Sequence, residues 1–234
     1  MMTRAPVLSP SEAYAMWAPS YPAQAHNPVM QAEERAMLAL MPSDLHGLNV
    51  LDVGCGSGRY MLHALRRGAS RSIGVDLSAA MLRRAYTELK ACRFNAGIGL
   101  AQGGMHALPV LDAWADLTVS GLVIGHLEHL HDALRELRRV TRPGGVMLCS
   151  DVHPIGPALG WQRDFKHDGQ RYAVRHTQHF YSHWHAACKA LGLVIEEVLE
   201  PMLDPADIPA EANFDRTALD VPVALVFRLR RAKD

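Results

Sequence analysis

Residues Asn49–Met61, NVLDVGCGSGRYM, join a short apolar run to a helix-like pattern through three glycines at alternate positions, Gly54, Gly56 and Gly58. A strand that ends in a bare-backbone loop and opens a helix brings N–H groups close to a nucleotide-like ligand. The spacing is not that of the dinucleotide fingerprint G-x-G-x-x-G, in which the third glycine allows close packing of helix on strand. Arg59 stands where that glycine would be.

Two acids narrow the ligand. Asp52 precedes the loop, where a carboxylate repels a pyrophosphate and suits an ammonium or sulfonium group. Asp76 ends the next strand-like run, in GVDLS, eighteen residues after Gly58. There a carboxylate accepts from both hydroxyls of a ribose. Together they bracket a nucleoside with a cationic amino-acid tail, which describes S-adenosylmethionine (SAM).

Around this centre the chain alternates. Strand-like runs begin near Asn49, Arg71, Ala96 (AGIGLAQ), Ala115 and Val146, with helical patterns between most of them. Ser78 caps a helix carrying Met81, Leu82, Ala85 and Leu89 inward, and another carries Leu130, Leu134 and Leu137 to the stop RPGG. Strand–helix alternation implies right-handed crossovers and a parallel sheet covered on both faces. The first forty residues read as helical, with Asn27 as cap, Pro28 at the first helical position and Met30, Met37, Leu38 and Met41 on one face. After Val152 the pattern breaks for about thirty residues, the mark of a lid or binding loop rather than a spacer. A helix capped at Ser182 and two strands, LVIEEVLE and PVALVFRLR, follow. The expected organisation is one domain over 1–234: an N-terminal helical cover (1–42), a cofactor-binding core (48–151), a substrate lid (152–180) and a terminal helix with strands (181–234).

The order of these segments resembles the class I SAM-dependent methyltransferases, in particular their type-11 small-molecule group. The resemblance runs through AYAMWAPSYPAQAHNP, VLDVGCGSGRY, GVDLSAAML, ADLTVSGLVIGHLEHL and LRELRRVTRPGGVMLCSDVHP. It implies an α/β, Rossmann-like fold with a seven-stranded, mostly parallel sheet, the last strand antiparallel, and helices on both faces. It implies SAM as cofactor and S-adenosylhomocysteine as its product. Gly54, Gly56 and Gly58 then pass under the methionine and ribose, and Asp76 takes the ribose. Leu77 and Met81 line the adenine, Met105 or His106 packs on it or donates to it, and Ser120 and Gly121 turn carbonyls to the ammonium. Tyr14 and Trp17 form part of the cover. Two departures stand out: Gly104 replaces the family's adenine-binding acid, and Ala15 follows Tyr14 where the family has Asp.

For chemistry, His126 and His153 follow the fourth and fifth strands, at the carboxyl edge where open α/β sheets bind ligands. Each is a candidate base or a residue that merely orders its loop. Methyl transfer is a displacement in which positioning supplies much of the acceleration, and a base serves only an acceptor that must lose a proton. Tyr21, Trp161, Phe165, His176 and Phe180 are candidates for the acceptor site, the alternative being packing of the lid on its own domain. Arg163, Lys166, Arg171 and Arg175 either grip an anion or form a solvated face. The 13 histidines offer no third ligand converging on His126 and His129, so no metal is expected.

Basic and acidic residues balance at 24 each, and no post-strand Pro-Pro-aromatic clamp or basic tract suggests nucleic acid. No signal peptide or membrane span is expected, and four scattered cysteines suit a reduced, cytoplasmic protein. The acceptor is read as a small metabolite methylated on O, N or C. Alternatives are carboxyl methylation of an acyl group on an acyl carrier protein, and a regulatory protein that binds SAM without transferring methyl.

Overall fold

The computed structural model describes residues 5–94, 97–208 and 216–233. Strand β1 (Val7–Leu8) leads into helix α1 (Pro10–Trp17), which starts at Ser9 with a reciprocal cap between Ser9 and Glu12. Helix α2 (Pro28–Leu40) begins as the sequence predicts, the Asn27 side chain accepting from the Met30 N–H. Its inner face buries Met30, Ala36, Met37 and Leu40, together with Glu33.

The βα units then follow in order: β2 (Asn49–Val53), α3 (Arg59–Arg66), β3 (Arg71–Asp76), α4 (Ala79–Ala91), β4 (Ile98–Gln102) and β5 (Ala115–Gly121). After them come α5 (Leu130–Val140), β6 (Thr141–Val152), α6 (Ile155–Ala158), β7 (Asp164–His167), β8 (Gln170–Val174), α7 (Tyr181–Ala190), β9 (Leu193–Leu199) and β10 (Ala224–Arg231). Seven of the strands form one sheet in the order β4-β3-β2-β5-β6-β10-β9. All ladders are parallel except those of β10, which is antiparallel to β6 and β9. This is the expected α/β architecture, with the last strand reversed.

The core has two halves. Leu134, Leu137, Trp184 and Phe227 fill one face of the sheet, beneath α5 and α7, and Trp184 stacks on Phe227 at 4.3 Å. Met37, Leu40, Tyr60 and Ala64 fill the other, beneath α2 and α3. Strand β2 is buried on both faces, so its near-continuous apolar run is what a central parallel strand requires.

Several boundaries differ from the sequence reading. The strand expected from Ala96 is a strand over Ile98–Gln102, and Ala96 lies outside the described residues. Helix α5 ends at Val140, and Arg142–Gly145 belong to strand β6 rather than to a free stop. Helix α7 starts at Tyr181, and its cap is Phe180, two residues before Ser182; the His183 ring accepts from the Phe180 N–H.

The largest correction concerns 152–180. Far from irregular, it holds an antiparallel hairpin, β7 with β8, that turns at Asp168-Gly169, both with positive φ. Asp-Gly between two strands is a hairpin signal, obscured here by the charged residues on either side. Strand β8 pairs in parallel with β1, Val7 opposite Ala173, making a second, three-stranded sheet. No helix among the described residues is long and apolar enough to cross a membrane.

Candidate functional site

The glycine loop leaves β2 at the carboxyl edge of the sheet, as expected for an open α/β ligand crevice. The Gly54 N–H donates to the Val75 carbonyl at 2.7 Å, and a Cβ on Gly54 would stand 2.4 Å from a Val123 methyl. Gly56 and Gly58 hold φ of 53° and 83°, a region that favours glycine. The Gly56 N–H donates to Asp76 Oδ2 at 2.9 Å, while Asp76 Oδ1 accepts from the Ser78 N–H at 2.8 Å. The loop is thus tied to the end of β3 through one carboxylate. Burial raises the pKa of that carboxyl, and the two N–H groups oppose the rise.

A cavity of about 350 Å³ opens over this loop, within the range of small-molecule sites of about 300–1,000 Å³. Gly54, Gly56, Asp76, Leu77, Met81, Met105 and His106 line one side, and Gly121, His126, Tyr14 and Tyr21 another. Gly104 also lines it, and a Cβ there would meet nothing nearer than Leu77 at 3.7 Å. The residues fit SAM: a bare loop for close approach, an acid with lone pairs to spare at one end, and buried Met81 and Met105 for an apolar ring.

A second cleft, about 1330 Å³, adjoins it and shares Leu122 and Arg163. Trp17, Trp161, Phe165 and His176 line this larger space. Trp17 stacks on Phe165 at 4.9 Å, and Phe165 on Tyr172 at 5.7 Å.

Comparison with known proteins agrees with this geometry. Residues 51–149 match the model of a family described as "Methyltransferase domain". A SAM-dependent methyltransferase of known structure from Mesorhizobium loti superposes with a TM-score of 0.69 at 28% identity, covering 86% of this chain and 98% of that one. Residues 51–149 are thus similar to a methyltransferase domain, and the chain shares the fold of that SAM-dependent methyltransferase. Malonyl-[acyl-carrier protein] O-methyltransferase of Pectobacterium atrosepticum is 40% identical over 131 residues, 54% of this chain and 48% of that protein. The chain therefore spans about half the length of that curated relative. An uncharacterized protein of Haemophilus influenzae is 26% identical over 225 residues, 86% of this chain and 87% of that one.

Four residues expected at the cofactor, Asp52, Gly58, Ser120 and Trp17, do not line the smaller cavity. Asp52 is 1% exposed and does not line the cavity. On strand β2 successive side chains alternate, so Val53 reaches the cavity and Asp52 points away from it. Its Oδ2 has no hydrogen-bond partner. Burial pushes the pKa up to about 7; Arg59 opposes this, and Asp76 and Glu33 add to it. The two acids therefore do not line one cavity: Asp76 faces it, while Asp52 is buried away from it. Gly58 caps α3, Ser120 is fully buried, and Trp17 lines the larger cleft.

The candidate bases separate clearly. His126 Nδ1–H donates to the Arg175 carbonyl at 3.2 Å, which fixes the tautomer, and Nε2 lies 2.9 Å from the Tyr14 hydroxyl, placed to accept from it. Burial, with the nearby Arg163 charge, lowers the His126 pKa to about 3, and burial raises that of Tyr14. His126 is neutral and occupied at both nitrogens. His153 lines neither cavity; its Nδ1 accepts from the Ile155 N–H and its Nε2 meets Glu200. This is the loop-ordering alternative. Phe180 is exposed at the start of α7 and lines neither space.

Two arrangements went unread. His176 Nε2–H donates to Asp151 Oδ1 at 3.0 Å, and its Nδ1 is buried with no partner. Glu33, fully buried on α2, accepts from Tyr60 and Ser150 and pairs with Arg59 at 3.1 Å. A Cβ on Gly121 would stand 2.3 Å from Tyr60 and 3.2 Å from Glu33, so this network forms the floor below Gly121. Helical spacing signals Glu33, since it falls with Met30 and Met37 at i+3 and i−4. Asp151 lies near the carboxyl end of β6, where ligands gather.

Proposed function

We propose that this protein moves a methyl group from SAM to O, N or C of a small-molecule acceptor, with SAM in the smaller cavity and the acceptor in the larger cleft. The carrying observation is that Asp76, tied to the Gly56 loop, faces a cavity that adjoins a larger cleft lined by aromatic residues. Bound there, the cofactor supplies a methyl already activated by its sulfonium. The chain's own part is to hold and exclude. Asp76 takes the ribose hydroxyls, Leu77, Met81, Met105 and His106 enclose the adenine, and the Gly121 carbonyl meets the ammonium. Tyr14 and Tyr21 close the cavity from the N-terminal side. Trp17, Trp161 and Phe165 hold the acceptor body and keep water out.

Within this reading His126, neutral and doubly bonded, orients Tyr14 rather than taking a proton. His176, held by Asp151 with a free Nδ1, is better placed as a base for an acceptor that needs one. Four free thiols support a cytoplasmic setting.

A second reading is carboxyl methylation of an acyl group on a carrier protein. It is favoured by the Pectobacterium relative and by Lys166 and Arg175, exposed cations that line the larger cleft. Incubation with methyl-labelled SAM and either a small-metabolite extract or an acylated carrier decides between them. Label in the first alone is expected. Label only with the carrier would favour the second reading, and cofactor bound without transfer to either would overturn both in favour of a regulatory role.

A further inference from the structure

Among the described residues, Leu122 and Arg163 alone line both cavities, and of the two only Arg163 is charged. It stands just before β7, largely withdrawn from solvent. One Nη1–H donates to the Leu122 carbonyl at 2.9 Å, and the guanidinium lies 5.7 Å from the centre of the Tyr14 ring. Among the described residues, no carboxylate oxygen comes within the 4.0 Å of an ion pair. Asp151 biases the guanidinium only from beyond that distance, and its Oδ1 already accepts from His176 and from the Val152 N–H.

Several other cations of low exposure are treated differently. Arg59 pairs with Glu33 and Glu34, Arg139 with Asp112 and Glu136, and Arg228 with Glu196. Arg67, which among the described residues also has no carboxylate partner, donates to three main-chain carbonyls, of Leu38, Met41 and Pro42, where Arg163 has one. Arginine does not relieve burial by losing its proton, and a charge taken out of water without a partner is costly. At Arg163 the contacts are uncharged, the Leu122 carbonyl and the Tyr21 hydroxyl, so an anion entering with a ligand would supply the charge they lack. The planar fork fits a carboxylate through two parallel hydrogen bonds. The surroundings then describe the rest of the molecule: beside the guanidinium lie Trp17, Phe165 and Trp161.

We infer that Arg163 is an anion-binding residue at the junction of the two cavities, gripping the carboxylate of an acceptor whose body is apolar and lies along the Trp17–Phe165 stack. This rests on the proposed function and adds the acceptor's chemical class to it. A cationic donor in the adjoining cavity strengthens the case, because an anion at the junction is attracted from both sides.

The test is calorimetric titration of the full chain with octanoate and 3-phenylpropanoate, each against its methyl ester. The acids are expected to saturate and the esters to bind at least about tenfold more weakly, the scale of one charge-assisted contact. Arg163→Gln is expected to bring acid down to the affinity of ester, Arg163→Lys to keep an intermediate affinity, and Arg135→Gln, on exposed α5 surface, to change nothing. Esters that bind as well as acids, or acids that bind Arg163→Gln undiminished, would overturn the inference. Should Arg163→Gln not fold, the acid–ester contrast in the unaltered chain and Arg163→Lys decide it. A parallel titration with S-adenosylhomocysteine separates the two claims. Its failure sinks the methyltransferase reading, whereas its success without acid–ester contrast sinks only the carboxylate.

Discussion

The two cavities are built by opposite means. The smaller one is made largely of backbone and short βα loops: two loop glycines, Gly54 and Gly56, the end of β3, the segment after β4 and the end of β5. The larger one is made of side chains brought from distant parts of the chain, Trp17 and Met30 from the N-terminal region and Trp161 to His176 from the hairpin region. The difference teaches where each is rigid and where each can vary. A cavity of backbone accepts one cofactor and few substitutions. A cleft of side chains on a separate three-stranded sheet can change its ligand while the fold stays the same.

The strongest way to break this comparison is at the floor of the smaller cavity. Glu33→Ala strips Arg59, Tyr60 and Ser150 of a shared buried acceptor. It is expected to cost about 3–5 kcal/mol in a denaturant melt. A loss below about 1 kcal/mol would mean the floor is not stiffened by this network.

Next is the pH response of Asp52. A carboxyl whose pKa is 3.8 unfolded and about 7 folded binds its proton more tightly in the folded state. Stability should therefore fall as pH rises from about 4 to about 7, by up to about 4 kcal/mol, and stay low above that. Asp52→Asn should flatten that slope and be the more stable form at pH 8. Parallel slopes for both proteins would remove Asp52 as the cause.

Asp76→Ala sharpens the comparison on the ligand side. It removes the acid that faces the cavity and the anchor of Gly56, and calorimetry should show S-adenosylhomocysteine binding weaker by about 100-fold, or ~3 kcal/mol. Unchanged affinity would move the cofactor elsewhere. The smallest effect is expected at His153, which lies outside both cavities. His153→Gln should leave methyl transfer within about twofold and cost at most about 1 kcal/mol in stability. A large loss of transfer at unchanged stability would return it to the site.

How much of this was readable follows from the same contrast. The glycine loop, Asp76 and the caps at Asn27 and Ser78 are local: each depends on residues a few positions apart, and all stand where the letters place them. The sheet follows from the alternation of such units. What escaped depends on distance. Asp52 read as a ligand because nothing local says that its neighbours Gly74 and Val119 close over it. Trp17 read as cofactor cover, but its partner Phe165 lies far along the chain. His126 and His153 looked equivalent at two strand ends. The Tyr14 hydroxyl and the Glu200 carboxylate, contacts set only by tertiary packing, tell them apart.

The parallel pairing of Val7–Leu8 with Ala173–Val174 ties the beginning of the chain to the hairpin by main-chain bonds. Whatever swings aside to let a ligand reach the larger cleft, the first strand and the hairpin have to travel together as one flap. A crosslink between residues 7 and 173 should accordingly leave turnover intact, whereas one fastening the hairpin to α2 should stop it.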